Sequence, residues 1–237
     1  MTKILVTSDI HGTIPQIEPA DIFLICGDIS PVDDMHTNNS QRKWFEGVFV
    51  PTISKLPAKH IVFIAGNHDV FLYNLYRRND QHYLKNILPE NVHYLCDSSI
   101  TLEGIKIYGS PWVNRPEWGT PNSPVWSFSH DNSDYLAKRF NKIPDDVDIL
   151  MTHSPPYGYC DMIQNMEYEG HIGSFELTEA INKKKPRYSF FGHIHSGDHN
   201  IVEICETPNS RPTLAVNVAH MSENYEPYYP IHILLHD

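Results

Sequence analysis

The chain has 237 residues, 41% hydrophobic and 20% charged, which excludes a disordered or fibrous protein and allows a substantial core without disulfide support. It carries 18 Lys and Arg against 29 Asp and Glu, a formal charge of −11, so a basic groove for long nucleic acid is not expected. Four scattered cysteines (Cys26, Cys96, Cys160, Cys205) with no CxxC pair point to reduced thiols in a cytoplasmic setting.

Met1 leads into a short apolar run with an acid in it, unlike a secretory leader, and no run approaches the length of a membrane span. A protein without a membrane partner is expected. Five short apolar runs follow, each ending in a polar cluster: "KILVTSDIHG" (3–12), "DIFLICGDIS" (21–30), "HIVFIAGNHD" (60–69), "VDILMTHSPP" (147–156) and "RYSFFGHIHS" (187–196). Their Ile, Val and Phe content reads as strands buried on both faces. Helices are expected over 40–56, with Ser40 as N-cap, and over 132–142 and 174–185. Residues 98–112 read as a hairpin turning at Glu103-Gly104, and 199–206, 212–219 and 229–235 as further strands. The expectation is an α/β fold in one domain, 1–237: a four-layer αββα sandwich of two mixed β-sheets flanked by helices.

Ligands gather at the carboxyl ends of strands in such folds, where loops converge over a rigid edge. The five runs end in Asp, Asn or His. Asp9 and His11, two apart, leave one side of the backbone if the strand continues, and can reach one ion. Alternatively Asp9 caps a turn. Asp28, after Gly27, can bridge two cations with its two carboxylate oxygens or can mark a turn. Asn67, His68 and Asp69 offer a neutral oxygen ligand and a histidine beside a carboxylate, as a general acid requires, or again a turn. His153 precedes two prolines that stop the strand. His193 and His195 are loop residues, two ligands of one metal, or one ligand each for two metals.

In the order DxH, GD, GNHD, H, GHxH, each after a buried strand, these motifs resemble the calcineurin-like metallophosphoesterase superfamily. The segments "YGSPW" (108–112), "WSF" (126–128), "THSPPYG" (152–158) and "NVAHMSENYEPYYP" (217–230) look like its small single-domain branch, which includes the vertebrate metallophosphoesterase-domain-containing proteins, known as cyclic-nucleotide phosphodiesterases.

The resemblance implies that Asp9, His11 and His195 bind a first metal, that Asp28 bridges, and that Asn67, His153 and His193 complete the second. It also implies that His68 is the general acid, with Asp69 holding its ring. Imidazoles mixed with carboxylates suit two divalent or trivalent transition-metal ions, Mn, Fe, Zn or Ni. The implied reaction is hydrolysis of a small phosphodiester, such as a cyclic nucleotide, by a metal-bridging hydroxide attacking phosphorus. The alternatives are a phosphomonoesterase or phosphoprotein phosphatase, and a catalytically silent interaction scaffold on the same fold. In the Pro-rich stretch 111–130, Trp112 and Trp126 are candidates to stack a substrate, with Arg115 near phosphate; Tyr157 is a candidate to line the pocket. The competing reading is that Trp112, Trp118 and Trp126 pack the loop onto the core.

Overall fold

A computed structural model describes the chain except residues 33–35, 81, 116–122, 124–125, 165–168, 206–210 and 237. Two large mixed sheets form its centre. The first is built from β1 (Thr2–Thr7), β2 (Ala20–Cys26), β3 (Ala58–Ile64), β4 (Val92–Tyr94) and β15 (His232–His236), in the order β15-β1-β2-β3-β4. The second contains β5 (Ser98–Leu102), β6 (Ile105–Ser110), β9 (Ile149–Thr152), β12 (Tyr188–Phe191), β13 (Val202–Ile204) and β14 (Thr213–Asn217), in the order β13-β14-β12-β9-β6-β5. Parallel pairs fill both interiors, while β15, β13 and β5 attach antiparallel at edges. Two short pairs, β7 (Val113–Asn114) with β8 (Ser129–His130) and β10 (Met162–Gln164) with β11 (Glu169–His171), lie outside them.

The layering follows from strand periodicity, since successive side chains point to opposite faces. Ile4, Val6, Ile22, Leu24, Val62 and Ile64 meet Ile107, Ile149, Met151 and Phe190 in one cluster between the sheets. The intervening residues Leu5, Phe23, Ile25, Phe63, Leu150 and Phe191 point outward into a second cluster. Helices cover those outer faces. Phe45, Phe49 and Phe71 pack with Phe63 on one side, and Leu136, Phe140, Leu177 and Ile181 join the cluster from the helices on the other. The expected four layers are thus present.

Helices α1 (Asn38–Trp44), α2 (Val50–Ile53), α3 (Val70–Arg77), α4 (His82–Ile87), α5 (Ser133–Phe140) and α6 (Phe175–Lys184) supply the outer layers. The single helix expected over 40–56 is instead α1, a π-helical turn over Phe45–Phe49, and α2. Pro51 has no N–H to return to the preceding turn, and the Val50 N–H reaches back five residues to the Phe45 carbonyl. The cap is Thr37 rather than Ser40, because the Thr37 hydroxyl accepts from the Ser40 amide. Asn132 and Ser174 cap α5 and α6 in the same way. The β5–β6 hairpin turns at Glu103 (φ 51°) and Gly104 (φ 80°) as the sequence predicts. Helices α3 and α4 add to those expected from the sequence. Among the described residues no helix is long and apolar enough to cross a membrane.

Candidate metal centre

The carboxyl ends of β1, β2, β3, β9 and β12 point to one place. Beyond β1 the chain joins both sheets: the Ser8 amide donates to the Val218 carbonyl at 2.8 Å, and the His220 amide to the Ser8 carbonyl at 2.9 Å. The first two loops are laced together by Asp9 N–H to Gly27 O and His11 N–H to Asp28 O, both 3.0 Å. Asp9, His11, Asp28 and His193 all have positive φ, at 52°, 39°, 49° and 71°. Asp9 and His11 therefore face one way through a left-handed turn, since β1 has ended at Thr7, and not through continued strand alternation. Non-glycine residues held there carry strain of about 1–3 kcal/mol each, which persists only where the surroundings over-determine it.

Two glycines make the close approach possible. A Cβ at Gly192 would overlap the Asp9 carboxylate, and one at Gly66 would overlap the Asp28 carboxylate and lie 2.6 Å from His153 Nε2. The amide of His193 donates to both Asp9 oxygens at 3.1 and 3.0 Å, and the amide of His68 to Asp28 Oδ1 at 2.8 Å.

Two ligand groups result. In Asp9, His11 and His195, the Nε2 atoms of the histidines are 3.3 Å apart and His195 Nε2 is 3.3 Å from Asp9 Oδ1. In Asp9, Asp28 and His153, His153 Nε2 is 3.2 Å from Asp28 Oδ2 and 2.9 Å from Asn67 Oδ1. Asp28 Oδ2 is also 3.9 Å from His11 Nε2, which places it between the two groups. The His193 ring lies 5.1 Å from that of His153, outside both tight groups.

The electrostatics fit a cation. Asp9 and Asp28 are buried side by side, and among the described residues their only ion-pair partners are histidines. Two carboxylates buried side by side with only imidazoles to offset them are costly unless cations join them. Burial would raise Asp9, but its hydrogen bond to His195 and the charges of His153 and His195 hold it below the usual carboxylate range. Asp28 is likewise held low, because the charges of His153 and His68 outweigh its burial. Burial drives His11 down to about 4 and His193 to about 3, so both are neutral imidazoles with a lone pair to give. His153 is pushed up to about 9, since Asp28 overrides its burial. Two imidazole nitrogens facing each other at 3.3 Å require a proton or a cation between them.

Other expected residues lie elsewhere. The Asp69 carboxylate does not reach the His68 ring. It is fully buried and accepts the amides of Gly66 (2.8 Å), Ser30 (2.9 Å) and Ile29 (3.3 Å), tying the β3 loop to the β2 loop. The ring partner of His68 is His36, with Nε2 3.2 Å from His68 Nδ1, and His68 Nε2 is 4.0 Å from Asp28 Oδ2. Burial pushes His68 down, and the nearby Asp28 charge opposes this.

Trp112 is a core residue, 1% exposed, donating to Asp97 Oδ2 at 3.1 Å beneath the Arg139 guanidinium. Arg115 pairs with Asp131 at 2.6 Å beside a neighbouring groove. Tyr157 rests on His171 and Phe175, outside the cavity at the centre. Trp118 lies outside the described residues. Trp126 does line that cavity, which has a volume of about 390 Å³. Tyr225 also lines it, standing edge-on to the rings of His11 (4.8 Å) and His195 (5.4 Å). His36 has no fixed spacing to the motifs that could have marked it, whereas Tyr225 lies within the segment 217–230 that resembles the small single-domain branch.

Two packed mixed sheets with Asp and His converging at their strand ends define a metallophosphoesterase fold and site. The chain belongs to the calcineurin-like phosphoesterase family, whose model matches residues 2–197. It is 27% identical over 249 residues to Metallophosphoesterase domain-containing protein 1 of Homo sapiens, covering 97% of this chain and 69% of that protein. A UPF0046 protein of Caenorhabditis elegans is 30% identical over 209 residues, covering 84% of this chain and 68% of its own. Among solved structures, TT1561 of Thermus thermophilus superposes with a TM-score of 0.57 at 14% identity, covering 92% of this chain and 91% of that one, which shows the shared fold. Family membership implies a phosphoric ester hydrolase with a binuclear metal centre.

Proposed function

We infer that the protein is a metal-dependent phosphodiesterase acting on a small phosphodiester. The observation that carries this reading is the position of His68, whose ring lines the cavity beside Asp28 yet belongs to neither ligand group. Asp9, His11 and His195 would hold one cation, and Asn67, His153 and His193 the other, with Asp28 shared. Two such cations supply Lewis acidity toward phosphoryl oxygens and lower the pKa of a bound water. His68 is placed to pass a proton to the departing ester oxygen, which is a poor leaving group as an alkoxide, and the Asp28 charge opposes the burial that disfavours its protonated form. His36 meets this ring at Nδ1, which leaves Nε2 on the side of Asp28, 4.0 Å from its Oδ2. The glycines and left-handed turns hold the carboxylates dry and close, so little reorganisation is needed when charge develops.

The described lining of the cavity includes Asp28 and Glu223 but no Lys or Arg. Substrate charge must then be met by bound cations, which favours a compact ester over a long polyanion. The volume suits a small molecule. The four cysteines stand as thiols outside any disulfide, which accords with a cytoplasmic protein.

The test strips the protein of metal, reloads it with Mn, Zn, Ni or Fe, and assays bis(p-nitrophenyl) phosphate against p-nitrophenyl phosphate. Turnover of the diester is the expected result. Hydrolysis of the monoester alone would establish a phosphomonoesterase. Neither metal uptake nor turnover would establish the interaction scaffold.

A further inference from the structure

Trp126 and Tyr225 stand at different flanks of the cavity, and each is built onto a different ligand-bearing loop. Trp126 lies against His193, ring centroids 6.4 Å apart and planes at 70°. Its neighbour Ser127 donates its amide to the Asn67 carbonyl at 2.9 Å, which fixes the Trp126 backbone to the β3 loop. Tyr225 lies against His11 and His195. Its loop is anchored where His195 Nδ1 meets the Ser222 carbonyl at 2.9 Å, and is closed by the Ser222 amide to Glu226 O at 2.8 Å and the Tyr225 amide to Ser222 O at 3.0 Å.

Tyr225 holds φ 59°, a left-handed conformation that glycine or asparagine would adopt more cheaply. A tyrosine kept there, 44% exposed, is one whose ring direction is set by its surroundings at a cost in backbone strain. Packing alone does not account for that exposure, because a ring serving only the core would be buried.

A phosphodiester has two organic arms on one phosphorus and a monoester has one. We propose that Trp126 and Tyr225 are specificity-determining residues that each wall one arm of a phosphodiester with planar substituents, Trp126 on the His193 flank and Tyr225 on the His11–His195 flank. This rests on the phosphodiesterase reading and adds the residues that select the diester. Offset or edge contact with an aromatic ring is tolerant of the arm's identity, so the walls select for two flat groups and not for one particular compound.

The test compares kcat and KM of wild type, Tyr225→Ala, Tyr225→Phe and Trp126→Ala on bis(p-nitrophenyl) phosphate and p-nitrophenyl phosphate, with bound metal measured for each. Each alanine variant is expected to raise KM for the diester about tenfold, the size of one lost aromatic contact. The diester-to-monoester ratio of kcat/KM falls with it, and Tyr225→Phe keeps the wild-type ratio because the wall remains. An unchanged ratio in both alanine variants overturns the proposal. So does a loss of metal in Tyr225→Ala that accounts for its whole defect, since the ring would then serve the ligands. A wild type inactive on the diester defeats the phosphodiesterase reading itself, whereas an active wild type with indifferent variants defeats only the two walls.

Discussion

The Nε2 of His195 lies 3.3 Å from Oδ1 of Asp9, although 186 positions separate them in the chain. This contact closes one ligand group, while His153 closes the other against Asp28. His195→Ala and His153→Ala should therefore each bind one metal fewer than wild type, and Asp28→Asn, whose carboxylate lies between the two groups, should bind fewer than either. Elemental analysis of desalted protein checks this; equal retention in all three variants would reject the two-group arrangement.

Asp9 and Asp28 are buried without Lys or Arg partners among the described residues, so cations should stabilise the folded chain. At a metal concentration one hundred times its Kd, the linkage is about 2.7 kcal/mol per site. Chelation should lower the melting temperature and metal should restore it, while Asp28→Asn should show a much smaller response. Calorimetric scans with and without metal decide the matter.

His36 is the only described side chain that hydrogen-bonds the ring of His68. Its loss should free that ring to rotate away from the ester oxygen. His36→Ala is expected to lose part of the roughly 10²–10⁴-fold contributed by a general acid, and His68→Ala all of it. The defect should be large for an alkoxide leaving group and small for p-nitrophenolate, which departs without protonation. Equal rates of wild type and His68→Ala on an alkyl ester would sink the assignment.

Gly66→Ala places a Cβ against the Asp28 carboxylate and His153, whereas Gly47→Ala meets nothing within 4 Å. The first should cost about 1–3 kcal/mol and reduce metal content, as forced overpacking does. The second lies within the π-helical turn and should be neutral or stabilising by about 0.5–1 kcal/mol. Urea unfolding of the pair provides the contrast.

At the β5–β6 turn, Glu103 adopts φ 51° before Gly104. Asparagine accepts that conformation more readily, so Glu103→Asn should raise stability by up to about 1 kcal/mol. Its 3.8 Å approach to His60 is partly exposed and contributes little. A lower urea midpoint would mean that this pair matters more than the turn.

Much of this architecture can be read from the chain. Runs such as Phe23-Leu24-Ile25 and Ile61-Val62-Phe63 are apolar at every position, because each strand is covered on both faces. Asp9, His11, Asp28, Asn67, His153, His193 and His195 read as one set through the resemblance of their order to the family pattern; what the chain itself shows is that such residues follow apolar runs whose strand ends share one edge in a layered fold. These are consequences of local periodicity and chain order, which one-dimensional sequence preserves. Other features depend on which distant side chains meet. The Asp69 carboxylate takes the amides of Ser30 and Ile29 instead of the ring beside it, since a buried acceptor is drawn to unpaired backbone donors. Trp112 goes to the core and Arg115 to Asp131, while Tyr225 arrives over His11 from the far end of the chain. No spacing encodes these contacts, because packing of the assembled layers chooses them: sequence by itself determined the layers and the chemistry at their edge, and tertiary structure decided what surrounds it.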